Sequence, residues 1–218
     1  MVAQITPLVI VNRALSRIGA AAIPDMAAKL PSGQIIQDVY DSVTEDILAK
    51  NRWTFTNKFA ELGRASAAPA AGFNYAFVLP SDRNALPDAY YAAKDDFPNR
   101  PMKSFAHDEG FVCADPPRLW AEYRFLATPD YWPGDVREMM VLALAAELAL
   151  AIREDEKLRA LLRRDVYGDE MAQGAGGQFG VCVMMDDQAK ASKQLGMSDS
   201  PVAGWHNAGG LDAGEWGF

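Results

Sequence analysis

Residues 135–152 constrain the fold more than any other part of this 218-residue chain. Val136, Met139, Met140, Leu142, Leu144, Leu148 and Ile152, with alanines between them, leave no polar face on a helix of this length. A helix that is apolar all round must be covered on every side, so it belongs at the centre of a bundle. The run is too short to span a bilayer, and Glu147 interrupts it. A carboxylate in such a place is expected to pair with an arginine, with Arg13 or Arg17 as candidates, rather than to do chemistry.

The covering helices are legible on either side. Thr6 and Pro7 form a helix start, Leu8, Val11, Leu15 and Ile18 recur at three- and four-residue steps, and Gly19 is a natural stop. A second helix, opened by Ser32 or Gly33 and ending near Asn51, carries the stripe Ile35, Ile36, Val39, Tyr40, Val43, Ile47 and Leu48. Its acids Asp38, Asp41, Glu45 and Asp46 lie elsewhere on its surface. A fourth helix is predicted over about 155–172, with Leu158, Leu161, Leu162 and Val166 facing inward, and a short helix over 186–195.

The middle of the chain reads differently. Pro80, Pro87, Pro98, Pro101, Pro116 and Pro117 exclude long helices. Residues 59–64, 75–79, 111–113 and 119–125 read as strands, the last with strict alternation. The expected organisation is therefore α+β. Residues 1–58 and 129–173 form an antiparallel bundle of about four helices, 59–128 an inserted antiparallel β domain, and 174–218 a glycine-rich hinge and extended arm. The arm carries Trp205, His206, Trp216 and Phe218, and large aromatics in a glycine-rich segment are typical of contacts made on association.

No catalytic constellation emerges. His107 sits in an acidic loop without further ligands at metal-site spacing, and Cys113 and Cys182 fit neither a zinc nor a redox motif. Gly174–Gly180 lacks the lysine and the strand–helix setting of a phosphate loop. Asp95–Asp96 and Asp186–Asp187 have the chemistry to bind a cation, but such pairs are more often solvated turn or helix-start residues. Neither a catalytic group nor a cofactor or metal is expected. The net charge of −8 argues against a protein that wraps nucleic acid or binds acidic membranes. With no secretory signal in the opening residues, a soluble, cytoplasmic product is expected.

The order of several short motifs adds a more specific expectation. They are residues 12–19 (NRALSRIG), Arg52-Trp53 with Phe55, residues 60–62 (AEL), residues 75–80 (YAFVLP) with Asp82, Glu122-Tyr123-Arg124 before Pro129-Asp130, and residues 142–149 (LALAAELA). In this order they resemble the tail tubular protein A family, head-to-tail adaptors of podovirus-like tailed bacteriophages. The likeness covers about residues 6–170 and departs from the family pattern at 174–185, where the family continues a polar, alanine-rich helix.

The resemblance implies a virion neck protein, assembled in the host cytoplasm, that forms a dodecameric ring. The portal protein would lie above it and the tail nozzle below, with genomic DNA passing through without specific binding. It also implies that the arm reaches the portal, which gives Trp205, His206, Trp216 and Phe218 their role. Asp38, Asp41, Glu45 and Asp46 are then candidates for the channel wall or a subunit seam, since an acidic wall repels phosphates. The competing expectation is a small intracellular enzyme or ligand-binding domain. Its pocket would lie between helices and strands, lined by Tyr75, Tyr90, Tyr91, His107 and Trp120.

Overall fold

The first helix opens at Pro7, a position that needs no amide hydrogen, while Thr6 sits at the N-cap without the side-chain capping hydrogen bond its hydroxyl could make. The computed structural model describes residues 5–66, 69, 72–169 and 176–189. Helix α1 (Pro7–Arg17) ends in a Schellman turn: Gly19 N–H donates to Ser16 O and Ala20 N–H to Leu15 O, with Gly19 at φ +69°. Asn12 then pins the following loop, donating to Ile23 O and accepting from Ile23 N–H.

Helix α2 (Ile36–Lys50) starts later than Ser32 or Gly33. The chain at those residues turns back on itself through a bridge between Lys29 and Ile35, and helical geometry begins only after it.

Helix α3 (Gly134–Arg153) is the central helix, its buried side chains including Val136, Met139, Met140, Leu144 and Leu148. A left-handed residue, Glu154 at φ +52°, reverses the chain. Asp155 then caps α4 (Glu156–Tyr167) by accepting from Leu158 N–H at 2.9 Å. Helix α4 is shorter than the sequence pattern predicts. Leu162 and Val166 are buried as expected, but Leu161 is 58% exposed.

Helix α5 (Gly177–Ala189) corrects the reading of 174–218 as one hinge and arm, and of a helix beginning at 186. Phe179 and Val183 pack against the helical core and Cys182 is buried within it, so residues 177–189 belong to the bundle. The described residues thus contain five α-helices rather than about four.

Between α2 and α3 lie six strands: β1 (Asn57–Glu61), β2 (Tyr75–Val78), β3 (Ala89–Tyr91), β4 (Ala106–Asp108), β5 (Phe111–Ala114) and β6 (Trp120–Arg124). They form two antiparallel three-stranded sheets, ordered β1-β6-β3 and β2-β5-β4. The overall class is α+β. The alternation in β6 buries Ala121 and Tyr123 against a second core that includes Phe77, Tyr90, Val112 and Leu119.

Burial has a consequence at high pH. It pushes the Tyr40 phenol up to about 12 from 10.0, and the Cys182 thiol up to about 12 from 9.0. Both pKa values are raised by folding, so their contribution to stability is complete below the ordinary values and lost as pH rises through about 12. The melting temperature is expected to fall steadily between these limits, and Tyr40→Phe to soften the fall. A melting temperature that stays level across that range contradicts this assignment.

Candidate functional site

Two places combine unusual geometry with exposed chemistry. The first is the joint between the helical core and the sheets. Trp53 lies just beyond the end of α2, after Asn51 and Arg52, and is fully buried, its indole N–H donating to Ile47 O. Its carbonyl accepts from the Thr56 hydroxyl at 2.8 Å and from Arg124 Nη1 at 2.8 Å. Arg124 Nε also holds Asp88 at 2.9 Å, and Arg52 reaches the same carboxylate at 3.3 Å. One residue along β6, the Tyr123 hydroxyl donates to Asp82, which Lys58 also holds at 2.7 Å. Burial works against the ionised form of Asp82, yet the Lys58 and Tyr123 hydrogen bonds keep its carboxyl below the usual range. On the helical side, Thr54 donates both its N–H and its hydroxyl to Asp186 of α5. Asp186 is buried and bonded, so it is neither a solvated helix-start residue nor an open cation ligand.

The second place is a groove of about 450 Å³ where α2 and α4 flank α3. Val39 and Val43 form one wall, Val166 and Tyr167 the other, and Ala143, Ala146 and Leu150 the floor. It continues past Arg163 and Tyr167 into a depression of about 620 Å³ at the end of α4. Its charges are matched. Glu147 holds Arg159 at 3.1 Å and Arg163 at 3.5 Å, Asp46 pairs with Lys50, and Arg164 pairs with Asp169. The expectation that Glu147 pairs with an arginine is met, but the partners come from α4. Arg17 of α1 pairs instead with Glu138. The tight α3–α4 hairpin explains this, since it sets Glu147 beside residues 12 and 16 positions further on.

The acids singled out on α2 separate into two groups. Asp38, Asp41, Glu45 and Asp46 are all exposed, but Asp46 lines the groove, whereas among the described residues Asp38 and Glu45 have no ion pair and Asp41 accepts from Gln37. Trp205, His206, Trp216 and Phe218 lie outside the described residues.

The aromatic set proposed for a pocket is divided among surfaces. Tyr90 and Tyr91 are adjacent in β3 and point to opposite faces, Tyr90 toward Phe105 and His107, Tyr91 toward Phe59 and Phe97. Tyr75 lies under the Arg64 guanidinium, and Trp120 under that of Arg118. Among the described residues there is no group of three metal-ligating side chains, and no helix is long and apolar enough to cross a membrane. The Asp95–Asp96 pair starts a short turn in which Asp96 accepts from Ala93 N–H. Sequence reasoning missed the groove because its walls come from three helices far apart in the chain.

No protein-family model matches the sequence, and no curated protein matches it.

Proposed function

We propose that the chain is a structural head-to-tail adaptor of a tailed bacteriophage, a ring subunit beneath the portal that extends the DNA channel toward the tail nozzle. The observation that carries this reading is the joint. Arg52, Trp53, Asp82, Tyr123 and Arg124 belong to the motifs that carry the family resemblance; Arg52, Trp53 and Arg124 take part in the bonds between the end of the helical segment and the sheets, while Tyr123 and Asp82 bond to each other within the β region. Such a lock suits a part whose work is mechanical, because a ring under load needs its two cores to move together. Trp205, His206, Trp216 and Phe218 are proposed to engage the portal, and the ring is proposed to be a dodecamer.

The test is native mass measurement of the full chain, alone and mixed with portal rings of the phage that encodes it. Ring-sized oligomers, or a monomer that loads onto portal rings in the portal's own stoichiometry, support the reading. A chain that stays monomeric and unbound in both samples overturns it.

The strip Asp38, Asp41 and Glu45 is proposed to face the DNA. Changing the three to Asn or Gln should alter stability by less than about 0.5 kcal/mol, since these are exposed positions without ion pairs. The same variant is expected to release DNA more slowly, as phosphates linger at a neutral wall. Unchanged ejection kinetics would remove these residues from the channel.

A further inference from the structure

We infer that α5 is a strap across the joint, and that its docking fixes the turn from which the β region departs. The biological meaning rests on the adaptor reading. Under that reading the portal-contacting residues follow α5 in the sequence, so a pull on them acts on the joint through this helix. The coupling itself is read from the fold and tested apart from any portal.

The turn is Thr54–Thr56, which leads into β1. The first amide of such a turn has no partner within it, and a side-chain oxygen of the preceding residue normally supplies one. Here that residue is Trp53, whose indole can only donate and is committed to Ile47 O. The acceptor comes instead from 132 positions away: Asp186 takes the Thr54 N–H at 3.0 Å and the Thr54 hydroxyl at 2.6 Å.

The same turn holds the sheet. Phe125 N–H donates to Thr56 O at 3.0 Å, and Arg124 Nη1 donates to Trp53 O at 2.8 Å. A line of direct bonds thus runs from α5 through residues 53–56 to β6, the central strand of the β1-β6-β3 sheet.

Helix α5 is also the element best able to let go. It buries Cys182 and Asp186, fewer side chains than α1, α2 or α3, and one of the two is polar. Elements with few buried apolar contacts open below the energy of global unfolding. It is the last of the described elements, so it lifts away without threading past another. Docked and undocked α5 are the two arrangements that such a coupling requires. In the undocked one Thr54 loses its acceptor, and Trp53 offers no replacement.

Residue-resolved hydrogen exchange on the full chain tests this. Asp186→Ala removes the acceptor. Gly177→Ala, and by a second route Cys182→Asp in the buried face of α5, displace the helix while leaving Asp186 in the sequence. Each variant should speed exchange at Thr54, Thr56 and Phe125 by about tenfold or more, the effect of losing hydrogen bonds to a carboxylate. Kept protection in α1 and α3 shows that the variants fold. Because one strap carries both effects, Asp186→Ala combined with Gly177→Ala should lose no more than the worse single change. Asp186→Asn, which keeps an oxygen facing Thr54, should retain most of the protection.

Normal exchange at Thr54 and Phe125 in a chain whose α5 has lost protection overturns the inference. So do losses that add in the double variant, and so does a loss confined to Thr54 in Asp186→Ala, which makes Asp186 a local cap without reach into β6. If the coupling is found but no portal is bound, the adaptor reading fails while the strap stands; portal binding by a chain without the coupling is the reverse.

Discussion

Replacing Trp53 with alanine is expected to destabilise the chain by about 3–5 kcal/mol, the range for truncating a large, fully buried aromatic. That is a large part of the ~5–15 kcal/mol that holds a typical protein folded. The cost comes from where the ring sits. It contacts Phe55 at 5.7 Å and Phe179 of α5 at 5.8 Å between centroids, and its N–H satisfies the Ile47 carbonyl near the end of α2. Removing it leaves a cavity at the meeting point of α2, α5 and the first strand, and an unpartnered carbonyl within it.

Trp53→Phe should cost less, because most of the apolar volume stays and only the hydrogen bond is lost, worth about 1 kcal/mol. Urea unfolding followed by circular dichroism checks both. A loss below about 1 kcal/mol for the alanine variant would mean that the joint does not depend on this residue.

The sequence exposed this joint only in part. Arg52-Trp53 stood out as a motif, but its bonds to Arg124 span 71 positions and depend on β6 pairing with β1, which no local pattern encodes. The helices were more readable because each has a period that local spacing reveals. Ile10, Val11, Ala14 and Leu15 are buried in α1, and Leu162 and Val166 in α4.

Strands β3 and β4 went unseen for a physical reason: each is three residues long, too short for an alternation of its own. Their conformation is imposed by partners, Tyr90 opposite Ala121 and His107 opposite Val112. Helix α5 was hidden by composition. Its apolar residues occupy both the core face and the outer face, so no period separates Cys182 from Met184, and the glycines before it read as a break. Leu161 misled in the same way, as one leucine too many on a helix that buries only a narrow stripe.

Those glycines carry the second large effect. Gly177→Ala is expected to detach α5 from the bundle. Gly177 has φ +63°, and a Cβ there would lie 2.6 Å from Gly168 N and Val166 O and 2.7 Å from Asp165 O. These are backbone atoms at the end of α4, so no side chain can swing aside. The left-handed conformation alone costs a non-glycine residue on the order of 1–3 kcal/mol, and the overlap adds to it.

A Cβ on Gly168, at φ +79°, would meet the same crossing from the other side, 2.7 Å from Gly176 Cα. Relief requires α5 to move, which sacrifices the Phe179–Trp53 contact and the Thr54–Asp186 hydrogen bonds. Hydrogen exchange should therefore show residues 177–189 losing protection while α1 and α3 keep theirs. Gly63→Ala is the matched control, since nothing lies within 4 Å of its Cβ position.

Retained protection of α5 in the Gly177→Ala chain would show that the α4–α5 crossing is looser than its backbone distances require.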